Sequence, residues 1–290
     1  MSVRVGTCSW ADRTMIEAWY PAECRDPKGL LSYYSRHFDT VEVNSTYYAL
    51  PSADAAAAWA GRTPEGFTFH VKAFAAMTAH RIEPGQLPAD LRSGEFPGRD
   101  PGVVRECFRR FLEGIEPLRR SGKLGAVLLQ YPPGFHAEDR RSWRKSMGWI
   151  NRSLQVLDTP RVVVEFRHRS WYRERVLEAT RRFLSEWGAG LVTVDEPQAG
   201  ATSVPTVVAP TSELGYFRLH GRNRRNWNRR VPSASERFRY DYSPGELREL
   251  AAPIRELARM TEETFVMFNN CHADYAPRNA RTMKEILGES

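Results

Sequence analysis

The chain has 290 residues, 41% of them hydrophobic and 27% charged, which is the composition of an ordinary folded domain with room for one large core. No stretch approaches the roughly 18 apolar residues of a membrane span, and Cys8, Cys24, Cys107 and Cys271 form no CxxC pair, which argues against a disulfide framework or a zinc knuckle. A net charge of +7 favours anionic partners, nucleic acid among them, although solvated arginines on helix faces give the same balance.

Val3–Trp10 reads as a first strand, with no leader-like segment ahead of it, so the expected location is cytoplasmic. A helix is expected over Lys28–His37, then a strand over Thr40–Tyr48, then a helix over Ser52–Gly61 with Ser52 as its N-cap. Phe67–Ala73 is the third strand. A long connection, Ala75–Gly102, leads into the helix Val103–Arg120 and the strand Leu124–Pro132. The helices Arg141–Leu157 and Trp171–Trp187 flank the fifth strand, Val162–His168, and Gly190–Pro197 is the sixth. Pro197–Glu213 shows no helical period and should be a loop or degenerate crossover. Gly215–Gly221 is the seventh strand, followed by the Gly-, Pro- and Arg-rich connection Arg222–Tyr242. Ser243-Pro244-Gly245-Glu246 has the pattern of a capping box with proline in the first turn, and Leu247, Leu250, Ile254 and Leu257 form one apolar face. Thr264–Asn270 is the eighth strand and Arg278–Leu287 the last helix. Strand–helix alternation with eight strands predicts an α/β fold, a (β/α)8 TIM barrel with one irregular crossover, built as a single domain over residues 1–290. Neither GxGxxG nor GxxxxGK[ST] is present, so neither a dinucleotide fold nor a P-loop has support.

The strand ends are polar, and in a parallel barrel they gather at one mouth, where barrel enzymes place their chemistry. Side chains alternate along a strand. Glu42 shares parity with Asn44, His70 with Lys72, Glu165 with Arg167, and Arg218 with His220, and these pairs are expected to point inward. Gln130, Asp195 and Asn270 stand at the ends of other strands. Three arrangements remain open for this cluster: a self-paired ion network that only fills the barrel, a mononuclear metal site of His70, His220 and one carboxylate, or an anion-binding catalytic pocket. The balance of charges disfavours a di-metal centre. The loop after the seventh strand, residues 222–230, contains five arginines and no acid. Arg222, Asn223 and Trp227 are candidate ligands there for phosphate or a stacked base. Trp10, Trp19 and Tyr20 could wall the pocket or simply belong to the core, and Cys8 and Cys271 are expected to be a reduced pair on neighbouring strands.

Several segments together carry a family resemblance: Gly6-Thr7-Cys8-Ser9-Trp10; Phe38-Asp39-Thr40-Val41-Glu42-Val43-Asn44-Ser45-Thr46-Tyr47-Tyr48; Gln130-Tyr131-Pro132-Pro133-Gly134-Phe135; Val164-Glu165-Phe166-Arg167-His168-Arg169-Ser170-Trp171; Tyr216-Phe217-Arg218-Leu219-His220-Gly221-Arg222-Asn223; and Phe268-Asn269-Asn270-Cys271-His272. The chain resembles the domain-of-unknown-function 72 family, also called YecE-like. The resemblance implies a TIM barrel and supplies no chemistry.

The residues themselves favour an enzyme acting on a phosphorylated or other anionic substrate, with a nucleic-acid phosphodiester as one candidate. In this reading Glu165, His220 and Lys72 are catalytic, while Glu42, Asn44, His70, Gln130, Arg167, Asp195, Arg218, Arg222, Asn223, Trp227 and Asn270 bind substrate. The alternative is a non-catalytic nucleic-acid binder that uses the basic loop. No cofactor or protein partner is implied by any motif.

Overall fold

The computed structural model describes residues 2–92, 97–157, 159, 161–229, 231 and 233–288. In chain order its elements are β1 (Ser2–Thr7), α1 (Arg13–Trp19), α2 (Pro27–Tyr34), β2 (Thr40–Val43), α3 (Ala53–Gly61), β3 (Thr68–Lys72), α4 (Pro101–Arg120), β4 (Leu124–Gln130), α5 (Arg140–Leu157) and β5 (Val162–Glu165). There follow α6 (Glu174–Glu186), β6 (Gly190–Leu191), β7 (Thr193–Asp195), β8 (Leu214–Leu219), α7 (Ala234–Arg237), α8 (Pro244–Arg259), β9 (Glu263–Phe268) and α9 (Tyr275–Leu287), with short 3-10 turns between.

All described strand pairings are parallel, in the order β6-β5-β4-β3-β2-β1-β9-β8-β7. The two ends of that list are separated in sequence only by Val192. The first half of this interrupted strand pairs with β5 and the second with β8, so one strand joins both edges of the sheet. The result is a nearly closed parallel barrel of the TIM type, as the alternation predicts. Val192 keeps part of the seam, its N–H donating to the carbonyl of Val164 at 2.9 Å.

Two apolar clusters follow from strand alternation. Outward residues such as Val41, Val43, Phe69, Val71, Val127, Leu129, Val162 and Val164 pack beneath the helices. Inward residues, including Ala126, Leu128, Val163, Val192, Val194, Tyr216, Phe265 and Met267, fill the barrel itself. The interior is therefore a packed plug with polar groups above it, not a pore.

Helix caps appear where the sequence places them. Ser52 accepts from the Ala55 N–H at the start of α3, and Ser243 with Glu246 forms the capping box of α8. The sequence reading runs most strands too far. The expected second strand, through Tyr48, ends at Val43 and turns through Ser45–Tyr47, and the expected fifth, through His168, ends at Glu165. It also misses α1, a short helix capped by Asp12, and starts α6 early, since Trp171 and Tyr172 lie in a 3-10 turn. No helix forms between Pro197 and Glu213. That segment is tied to β7 instead, with Thr206 Oγ1 donating to the Val194 carbonyl and Thr193 Oγ1 to that of Val207.

Candidate functional site

Arg218, on the inner face of β8, is fully buried at the centre of the mouth. Its Nε and Nη2 donate to Glu42 Oε2 and Oε1 at 3.0 and 2.6 Å, and its Nη1 donates to Glu165 Oε2 at 2.5 Å and to Gln130 Oε1 at 3.2 Å. Tyr216 Oη also donates to Glu42, at 2.9 Å. The other Glu165 oxygen accepts from Arg167 Nη1 at 3.2 Å and from His220 Nε2 at 3.0 Å. Burial pushes the Glu165 carboxyl up, but Arg218, His220 and then Arg167 outweigh it, and the carboxyl is held well below its ordinary range.

A chain of amides sets the tautomer of His220. The Cys8 carbonyl accepts from Asn44 Nδ2 at 3.0 Å, which fixes which end of the Asn44 amide is the donor. Asn44 Nδ2 then faces Asn269 Oδ1 at 3.3 Å, so Asn269 presents its own Nδ2 to His220 Nδ1 at 2.9 Å. His220 Nδ1 is thus the acceptor and Nε2–H the donor to Glu165. Burial holds this imidazole neutral, its pKa lowered to about 3.

Above this floor lie Lys72 and Arg167. Lys72, the last residue of β3, donates to Gln130 Oε1 at 3.1 Å and lies 4.4 Å from the centre of the Tyr47 ring. Burial and the neighbouring Arg218 lower its pKa to about 8. Arg167 bridges Glu165 and Glu196, 3.1 Å from the latter, and its guanidinium lies 4.8 Å from the Trp227 ring. Among the described residues, Arg167 Nε, the Tyr172 hydroxyl and Asn44 Oδ1 are shielded from solvent and have no hydrogen-bond partner. Burial, with Glu165 and Glu196 nearby, pushes the Tyr172 phenol far above its usual range.

Of the residues singled out from sequence, Glu42, Asn44, Lys72, Gln130, Glu165, Arg167, Arg218 and His220 meet in this cluster. His70 does not join them. It sits a layer deeper, its Nε2 3.0 Å from Thr40 Oγ1 and its ring against Tyr216 and Phe265. Gly125 makes room for that ring, since a Cβ there would come within 2.5 Å of His70 Cε1. Among the described residues, no three His, Cys, Asp or Glu side chains are grouped to hold a metal ion, and His70 and His220 do not come together as the mononuclear arrangement left open by the sequence requires.

Asp195 and Asn270 point the other way. Asp195 binds Arg222 at 2.8 Å and the Tyr242 hydroxyl at 2.7 Å, and Asn270 donates to the Tyr240 carbonyl and to Asn279. Their sequence neighbours Glu196 and Asn269 face the mouth instead. Parity carries that signal: Glu196 is in step with the inward Val192 and Val194, and Asn269 with Phe265 and Met267.

Arg222 is spent on Asp195 and Glu246, and Asn223 on the carbonyls of Glu236 and Arg239, so neither reaches the cluster. Gly221, with φ of 81°, turns the chain away directly after His220. Trp227 is buried over Arg167, 5.9 Å from Phe238, rather than open for a base. Arg224, Arg225 and Arg229 are exposed, while Arg230 lies outside the described residues. Arg218 has every guanidinium nitrogen engaged and cannot also hold an anion. The aromatic wall is core: Trp10 packs on Trp59 and Phe69, and Trp19 on Tyr20 and Tyr33. Cys8 and Cys271 are free thiols.

A family model described as "Protein of unknown function DUF72" matches residues 4–290. The chain belongs to that family. It is 33% identical over 291 residues to the UPF0759 protein YunF of Bacillus subtilis, covering 98% of this chain and 94% of YunF. A DUF72 family protein of Thermotoga maritima superposes with a TM-score of 0.79 at 32% identity, covering 100% of both chains. One from Enterococcus faecalis gives 0.81 at 25% identity, over 99% of this chain and 96% of that one. Outside the family the likeness is one of fold, as with the protein named SacUVDE, at TM-score 0.54, 8% identity and coverage of 100% and 98%. None of the DUF72 names states an activity.

Proposed function

We propose that this DUF72 barrel is an enzyme that binds a small anionic substrate at the mouth. The observation that carries the reading is the surplus of donors there. Among the described residues, Lys72 has one hydrogen-bond partner and Arg167 Nε and the Tyr172 hydroxyl have none; these donors outnumber the unpartnered acceptors Asn44 Oδ1 and Glu196 Oε2, and Glu196 already lies against Arg167. The carboxylates below are already bound to arginine. A ligand rich in acceptors, a carboxylate or phosphate, matches that imbalance. Glu165 and His220 lie sealed beneath the rim. They act through Arg167 and Arg218 as positioning groups, and the group left to meet a substrate is Lys72.

A second reading is favoured by one observation. Arg224, Arg225 and Arg229 are exposed and, among the described residues, make no ion pair, so a polyanion such as nucleic acid has a surface to bind. One experiment weighs the two. Titrate inorganic phosphate and, separately, a single-stranded oligonucleotide into wild type, Lys72→Met and the triple variant Arg224→Ala/Arg225→Ala/Arg229→Ala. The enzyme reading expects phosphate affinity to fall about tenfold or more in Lys72→Met and to change little in the triple variant. The binder reading expects the oligonucleotide's log–log salt slope to flatten by about 2 in the triple variant, through lost counterion release. Phosphate binding that needs only the loop arginines would reject the mouth as the site.

A further inference from the structure

Lysine is scarce in this chain. Only Lys28, Lys72, Lys123, Lys145 and Lys284 occur, against 37 arginines. One of the five nevertheless stands at the inner end of a barrel strand. Its setting differs from that of a structural cation. The amine of Lys72 and Nη1 of Arg218 approach the same neutral oxygen, Gln130 Oε1, at 3.1 and 3.2 Å. The two nearby carboxylates, Glu42 and Glu165, are both turned to Arg218. Among the described residues, Lys72 makes no ion pair, while the face of Tyr47 lies against its amine. An amine beside a second cation, largely removed from water and without its own carboxylate, is the setting that makes lysine a nucleophile. A depressed pKa agrees with this geometry.

We propose that Lys72 attacks the carbonyl carbon of a small anionic aldehyde or ketone and carries it as an imine. The nitrogen lone pair forms the C–N bond, the carbonyl π pair moves to oxygen, and that oxygen takes a proton while the nitrogen gives one up. The resulting hydroxyl is protonated and leaves as water as the C=N bond forms, and the nitrogen releases its second proton. The balance is carbonyl plus amine to imine plus water, with solvent at the mouth carrying the protons and no redox partner needed. The carboxylate or phosphate of the substrate would use the donors left on Arg167 and Tyr172. The inference rests on the anion-site reading and adds the reacting group.

The test is reductive trapping. Folded protein is incubated with glyoxylate, or with butyraldehyde as an uncharged control, in the presence of sodium cyanoborohydride, and adducts are mapped by mass spectrometry over the five lysines. The expected result is one adduct per chain at Lys72, formed at least tenfold faster than at any other lysine, with glyoxylate at least tenfold faster than butyraldehyde. Inorganic phosphate should slow it, and unfolding in urea should spread the label evenly. Labelling confined to the other lysines in folded protein, with Lys72 unmodified, overturns the imine. If phosphate still binds in that case, the anion site survives and only the covalent step is lost. Preferred labelling of Lys72 at equal rates by both aldehydes overturns the anionic substrate class.

Discussion

Replacing Arg218 by Met should be the most damaging single change in the barrel. The side chain and its partners Glu42 and Glu165 are all fully buried, and Arg218 bonds both carboxylates. Removing it leaves Glu42 with only the Tyr216 hydroxyl and Glu165 with Arg167 and His220, both carboxylates still buried, and breaking one buried pair from one side costs about 3–5 kcal/mol. Whole domains are stable by only about 5–15 kcal/mol, so Arg218→Met should give little folded protein or a large drop in Tm. The triple variant Arg218→Met/Glu42→Gln/Glu165→Gln removes the charges together and should recover most of the loss. Denaturant midpoints of the two variants check this. A single variant as stable as wild type would mean that the three groups are not paired as described.

The second large effect is acid destabilisation that begins well above the carboxylate range. Burial holds His220 and His80 neutral, with pKa values lowered to about 3, and it holds His70 well below its ordinary value. Unfolded, each takes up a proton near pH 6.5. Folded histidines with lowered pKa bind fewer protons than the unfolded chain, so stability is full above about pH 6.5. It is then lost as pH falls, for His80 and His220 toward their folded values near 3. Each of these two contributes a slope of about 1.4 kcal/mol per pH unit inside that window. Together they remove on the order of 4 kcal/mol between pH 7 and pH 5, and His70 acts in the same direction. The folded Glu165 carboxyl, held low, adds its own loss only below about pH 4.3. Histidine NMR at pH 5 should find His80 and His220 neutral in the folded state, and the unfolding free energy should already be falling at that pH. Protonated rings at both with unchanged stability would contradict the burial argument.

The barrel was legible because strand and helix periods alternate along the chain, and the mouth because inward residues recur every second position. The reading fails where a side chain lies one residue from the mouth-facing one. Asp195 and Asn270 look as suitable as Glu196 and Asn269 when strands are read as polar ends, and only strict alternation from Val194 and Met267 separates them. Depth is the second failure. His70 and Lys72 share parity, yet one lies between Tyr216 and Phe265 and the other at the rim, and no local pattern reports the stagger between strands. The third is saturation. Sequence identifies Arg218 as a mouth cation, but the bidentate grip of Glu42 comes from a residue 176 positions away. That pairing moves the open chemistry from Arg218 to Lys72.

The titration of Lys72 in the folded protein bears most directly on this account. Its rate of acetylation by a trace of acetic anhydride can be followed by mass spectrometry from pH 6 to 11, with the urea-unfolded chain as reference. The arrangement at the mouth predicts half-maximal reactivity of the folded protein near pH 8, well below that of the unfolded chain. A folded-state midpoint at the ordinary lysine value of about 10.4, or a Lys72 that does not react until the protein unfolds, would contradict it.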